Sequence, residues 1–393
     1  MRFNFRLLFR LLGLSIFRHK GSNLRLVGKR IRFLLVLFTA YPALVMFTYL
    51  CLFFDRVFYR GFLRKQPERP LFILGNYRSG TTFMHRLLAM DEESFSSMQT
   101  WEIYFGVSII QRKAIRGVIA LDEMLGGHLA RKFKEAEEAM FSQVTMHRIR
   151  FGEPEEDEGI FMYLAACVFF YMLFPVADIE PEARSFNTTP TREQRIGLMH
   201  FYYGAVQRHM YAHPRSRHYL SKNPANSPRL ADILRRFPDA RIVYMARRPE
   251  DMLPSNLRWM AFAMHVVAAP RRDIPFREDL IELAARWYEE PLALIDQMRS
   301  HQVAIVRYDD LVDNPMRVVD SLYERFGYEI TEAAREKMRI ASEHAAGHRS
   351  SRVRLEHLGV SRSYVRRRFN WIYNRLDFAR PPIVEQLKSR DQA

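Results

Sequence analysis

The chain has 393 residues, 48% of them apolar and 13% aromatic, which is enough to bury one large or two ordinary cores and excludes a mostly disordered chain. Its formal charge of +16 rests on 60 basic residues, 51 of them Arg, and favours anionic partners such as phosphorylated cofactors or membrane surfaces. The basic residues are spread along the chain without a nucleic-acid recognition motif, so no nucleic-acid partner is expected, and Cys51 and Cys167 alone assemble neither a disulfide framework nor a zinc site.

Residues 1–32 carry nine basic side chains and no acidic one, interleaved with Phe and Leu at helix-like spacing, the pattern of an interfacial amphipathic helix. Residues 33–54 then run for 22 positions without a charge, bracketed by Arg32 and Arg56, which is long enough to enter or cross a bilayer core. No small-residue cleavage site follows, so the segment does not read as a cleaved signal peptide. Pro42 near its middle sets a kinked or re-entrant segment against a straight span. The chain is therefore expected to be membrane-associated with its catalytic part on the cytoplasmic side, where a segment that only dips leaves it. A full crossing would put the bulk on the other side. Residues 64–70, rich in Pro, Arg and Lys, divide a membrane-associated region at 1–65 from a catalytic domain at 66–393.

Strands are predicted at 71–74, 242–246 and 303–308, and long helices at 191–211, 278–299 and 361–375. Strands alternating with helices imply a parallel α/β sheet. The uncharged run 160–177 reads as a buried core helix whose start is favoured by the acidic cluster at 153–158. Asn187-Thr188-Thr189 is a lone glycosylation sequon.

Two constellations carry chemistry. The first, PLFILGNYRSGTTFMHRLL at 70–88, is a short apolar strand, a glycine-bearing turn and a helical pattern, the layout of a phosphate-binding loop. Gly75 and Gly80 keep the offset of a nucleotide P-loop, but Thr81 stands where its Lys belongs and the fixed cation is Arg78. The second, RIVYMARRPEDMLPSNLRW at 241–259, ends an apolar strand at Arg247-Arg248, with Ser255 eight residues beyond Arg247. An Arg fork and a hydroxyl suit phosphate oxygens, so the two sites suggest a nucleotide phosphorylated at two places.

Those segments, with LSKNPANSPRLADILRRFPDA leading into the second, resemble the sulfotransferases that use 3′-phosphoadenosine-5′-phosphosulfate (PAPS), in particular the bacterial carbohydrate/lipid and tyrosylprotein branches. The resemblance runs from about residue 66 to 378 and includes VRYDDLVDNP at 306–315 and a C-terminal element at 357–376. It implies a P-loop-type α/β fold, PAPS as co-substrate and no metal. By it, Arg78 contacts the 5′-phosphosulfate within a cradle of Ser79, Gly80, Thr81 and Thr82, Arg247 and Ser255 hold the 3′-phosphate, and Lys222 lies near the transferred group. Some branches place a base His where this chain has Asn226. Others use a Glu after the loop helix, which assigns the base to Glu102, with His85 in reserve.

The acceptor is expected to be a hydroxyl, lipid-linked or glycolipid, because the anchor holds the site near a bilayer. Two other readings stay open. One is a P-loop kinase or NTPase, with the acidic end of AIVRYDDL at 304–311 holding Mg²⁺. The other is a non-catalytic membrane scaffold with a degenerate nucleotide fold.

Overall fold

The computed structural model describes residues 4–17, 25–141, 150–175, 191–270, 274, 276–345, 354–376 and 378. The sequon at Asn187 lies outside them. Five strands, β1 (Leu71–Gly75), β2 (Phe95–Ser96), β3 (His218–Lys222), β4 (Arg241–Ala246) and β5 (Val303–Arg307), form one parallel sheet in the order β2-β3-β1-β4-β5. β1 is central, pairing with β3 through Leu71–Leu220 and with β4 through Leu71–Arg241. All five of its residues are buried, as expected of a strand covered on both faces. The three predicted strands are thus present, and the resemblance to a P-loop-type α/β architecture holds.

β3 was missed because its sequence, HYLSK, has neither an apolar run nor clean alternation. Tertiary contacts decide it: His218 Nδ1 meets the Glu68 carbonyl at 2.8 Å and Lys222 is pinned by carboxylates. The predicted helix at 160–177 is also revised. Asp157–Leu164 forms a 3₁₀ helix and Phe169–Leu173 a short α-helix, both in the core. The C-terminal helix is two helices, Arg362–Arg368 and Asn370–Leu376, separated at the fully buried Phe369.

The N-terminal helices Phe5–Phe17 and Gly28–Phe58 do not stand apart from the catalytic part. Leu8, Leu11, Leu34, Leu37 and Val45 belong to the same apolar cluster as Tyr244 and Tyr288 around the sheet. Buried polar contacts fix the longer helix. Asp55 accepts from Ser108 Oγ and from the amides of Ile109 and Ile110, and pairs with Arg208 Nε at 2.8 Å. Arg30 donates to the Leu173 carbonyl at 2.7 Å. Residue 65 therefore marks a change of composition within one packed core.

Candidate functional site

The site forms at the C-terminal end of β1, where parallel sheets open a crevice. Gly75 closes the strand at φ 135°, and an added Cβ would stand 2.4 Å from the Met245 carbonyl oxygen, so only glycine lets β1 and β4 approach here. Ser227 brackets the same residue, accepting from its N–H and donating to its carbonyl at 3.0 Å each. The turn then passes through Arg78 at φ 68°, a left-handed conformation that costs a non-glycine residue about 1 kcal/mol or more. Two contacts hold it there. Arg247 Nη1 donates to the Arg78 carbonyl at 2.8 Å, and Arg78 Nε donates to Ser255 Oγ at 3.0 Å.

Gly80, at φ 90°, starts the helix Thr81–Leu88 without a side-chain cap. The first-turn N–H groups therefore have no intrahelical acceptor and form an anion seat. The turn opens into a cavity of about 400 Å³ lined by Arg78, Gly80, Thr81, Thr82, Arg247 and Tyr308 on its polar side. Burial and then the neighbouring Arg247 both lower the Arg78 pKa, the mark of two like charges gathered where an anion would relieve them. The remaining wall includes Tyr104, Phe169, Met172 and Trp259, an apolar face able to take a hydrocarbon substrate.

Glu155 and Glu156 also line this cavity, and reasoning from sequence missed them. The acidic cluster at 153–158 is more than a favourable helix start. Glu155 and Glu156 meet Lys222 Nζ at 3.3 and 2.8 Å, whereas Glu158 pairs with the buried Arg229 and accepts from Asn223 Nδ2 at 2.9 Å. Asp157 accepts from Tyr202 and Tyr219 at 2.5 and 2.8 Å. Four consecutive acids are thus divided between cavity and core. The available signal was their density beside an apolar run.

The structure brings Arg78, Gly80, Thr81, Thr82 and Arg247 around one space. Ser79 is buried within the turn, and Ser255 reaches it through Arg78. Lys222 is fully buried behind the two glutamates. Burial lowers its pKa, but Glu156 and Glu155 outweigh that and keep the amine protonated.

Glu102, the residue expected as the base, does not line the cavity. Its carboxylate is fully buried outside the cavity lining, 3.1 Å from Arg112 Nη1 and 2.8 Å from His213 Nε2. Burial alone would raise its pKa, but Arg112 and His209 drive it well below the carboxylate range, and such a carboxylate is a poor proton acceptor. Glu102 also closes a capping box with Gln99. His85 is no better placed. It is buried against Ser97 Oγ at 2.5 Å, and burial, then Lys222, lower its pKa to about 3. Asn226 is buried and accepts from Arg229 at 3.2 Å.

Glu102, His209 and His213 bring three potential ligand atoms within 4.8 Å of one another. Arg112 Nη1 already lies 3.1 Å from Glu102 and 3.0 Å from His209 Nδ1, so a guanidinium takes the cation's place. Of the acids that a Mg²⁺-dependent kinase would use, Asp310 is bidentate to Arg307 at 2.8 Å, whereas Asp309 is exposed and lies 3.6 Å from Arg248.

Comparisons with known proteins agree with this geometry. Residues 70–332 match the model of the sulfotransferase family. Over 267 residues the chain is 22% identical to the omega-hydroxy-beta-dihydromenaquinone-9 sulfotransferase Stf3 of Mycobacterium tuberculosis, covering 66% of this chain and 63% of that protein. The counterpart in Mycobacterium bovis matches to the same extent. The fold is shared with sulfotransferase STF1 of M. tuberculosis (TM-score 0.65, 18% identity, 92% of this chain and 91% of that one). It is also shared with sulfotransferase STF9 of Mycobacterium avium (TM-score 0.63, 19% identity, 82% and 80%). With two thirds of its length inside the family model, the chain belongs to the sulfotransferase family.

Proposed function

We propose that the protein transfers a sulfuryl group from PAPS to the hydroxyl of an apolar, lipid-class acceptor. The observation that carries this reading is the composition of the cavity at the end of β1: two arginines and an uncapped helix start on one side, an aromatic and aliphatic wall on the other, and two carboxylates near Lys222. The Stf3 relatives, named for a hydroxylated menaquinone, support an acceptor of this kind.

The donor supplies an activated sulfuryl group bonded to a good leaving phosphate. Arg78 and the N–H groups of Thr81 and Thr82 are suited to the charge that grows on the leaving oxygen, and Arg247 to the second phosphate. The wall of Phe169, Met172 and Trp259 would orient the acceptor hydroxyl for in-line attack on sulfur. As the new O–S bond forms and the S–O bond to the bisphosphate breaks, the hydroxyl proton passes to Glu155 or Glu156. Lys222 stays protonated behind them and limits the negative charge of the pair.

The test uses purified full-length protein with radiolabelled PAPS and extracted membrane lipids. A labelled lipid product, together with thermal stabilisation by adenosine 3′,5′-bisphosphate and none by ATP–Mg²⁺, is expected. Stabilisation by ATP–Mg²⁺ alone would favour a kinase. Normal bisphosphate binding without transfer to any lipid or soluble hydroxyl would favour the scaffold.

A further inference from the structure

We infer that the helix Gly28–Phe58 lies in the plane of an anionic lipid surface and docks the protein there without crossing the bilayer. Length and apolar composition alone would permit a crossing. The burial pattern does not fit one. Leu34, Leu37, Val45, Thr48 and Asp55 face the protein core, whereas Leu35, Val36, Phe47, Leu50, Phe53 and Phe54 on the opposite face are exposed. With the exposed Ala40 and Ala43 between them, Val36, Phe47, Leu50 and Phe54 follow spacings of three and four residues and make a continuous stripe on one side of the helix. A crossing helix would need to leave the core or be surrounded by lipid, and the inner face forbids both. Asp55 holds Arg208 and the start of the helix Ile109–Met124, and Arg30 sits between the rings of Phe33 and Phe174 while bonded to Leu173. Exposing these charges to hydrocarbon costs several kcal/mol each.

The surroundings of the stripe identify its occupant. Across residues 25–64 the only acid is Asp55, which is buried, while exposed Arg32 stands at one end of the stripe and exposed Arg56 and Arg60 at the other. An apolar band with arginines at both ends matches acyl chains bordered by anionic headgroups. At 31 residues the helix is about 46 Å long, so in-plane docking uses its whole length, where a ~30 Å hydrocarbon core would not. The same helix packs on the segment that lines the cavity: Tyr41 meets Phe170 and Phe33 meets Phe174, flanking Phe169 and Met172. An acceptor dissolved in the bilayer would thus lie on the side from which the apolar wall is built.

The test is flotation of the full-length protein with phosphatidylcholine vesicles containing phosphatidylglycerol. The wild type is expected to float with them. The double substitution Phe47→Glu and Leu50→Glu should reduce partitioning at least about tenfold while leaving bisphosphate stabilisation intact. If that variant misfolds, Arg56→Gln with Arg60→Gln serves instead and should weaken binding to anionic vesicles only. Orientation is read from single cysteines at Leu26→Cys and Phe58→Cys, probed with an impermeant maleimide on sealed vesicles. Labelling of both from the outer side supports an in-plane helix. Labelling of one alone would mean a crossing and overturn the inference, as would a wild-type protein that stays in solution as a dimer and ignores the vesicles.

Discussion

Lys222 Nζ stands 2.8 Å from Glu156 and 3.3 Å from Glu155, so one buried cation restrains two carboxylates at the edge of the cavity. The carboxylate that takes the acceptor proton should therefore be identifiable by neutralising each in turn. Glu155→Gln or Glu156→Gln is expected to lower kcat by about 100-fold or more with bisphosphate affinity unchanged, the range of a lost general base. Glu102→Gln should instead lower the melting temperature, because it leaves Arg112 buried without its carboxylate. Single-turnover sulfate transfer and thermal melts on the three variants separate these outcomes, and full activity in both cavity variants would refute the assignment.

The arginines of the two phosphate motifs support one another as well as any ligand. Arg78→Ala and Arg247→Ala should each weaken adenosine 3′,5′-bisphosphate binding by about 1.5–3 kcal/mol. Because Arg247 also holds the Arg78 backbone through its carbonyl, the double variant should fall short of the sum of the two losses. Isothermal titration of the four proteins measures the coupling directly.

Acid should destabilise the protein in a window set by its buried histidines. His209 is fully buried and its pKa is lowered to about 4, burial outweighing the attraction of Glu102, and His85 is lowered to about 3. Both folded values lie below the ordinary 6.5, so the unfolded chain binds these protons first. The stability due to neutral imidazoles is complete above about pH 6.5. It falls on acidification towards pH 4 for His209, and further towards pH 3 for His85, with a slope approaching ~1.4 kcal/mol per pH unit for each. Urea melts between pH 7 and pH 4 should show the slope, and His209→Gln should flatten it even where its stability at pH 7 is lower.

The apolar wall should set acceptor preference without touching the donor. Phe169→Ala is expected to raise KM for a long-chain hydroxyl acceptor by about tenfold, in line with 1–3 kcal/mol for lost apolar contact. Bisphosphate affinity should stay unchanged. A short, polar alcohol should be indifferent to the substitution, and equal effects on both acceptors would count against the wall's role.

The strand, glycine turn and helix at 71–88 were legible in the sequence because their requirements are local: glycine where φ is positive and apolar residues before and after. Arg247 and Ser255 were legible for the same reason, and the structure brings them to Arg78. The two carboxylates that line the cavity were not. A Glu at a given sequence distance after the loop helix could face the cavity or the interior, and long-range partners decide which. Arg112, His209 and His213, all remote in sequence, draw Glu102 inward, while Lys222 keeps Glu155 and Glu156 at the cavity. β3 escaped for a related cause, since its polar residues are buried by partners that lie far away along the chain.

The bond between Asp55 and Arg208 has a practical consequence for anyone handling this protein. A chain lacking residues 1–65 would keep a deeply enclosed guanidinium while discarding the acid that neutralises it, together with the Leu52 carbonyl and the Phe62 ring against which it rests. Deletion is thus the wrong route to a water-soluble enzyme. Repainting the outward side of the intact helix with polar residues keeps that bond and removes only the greasy surface.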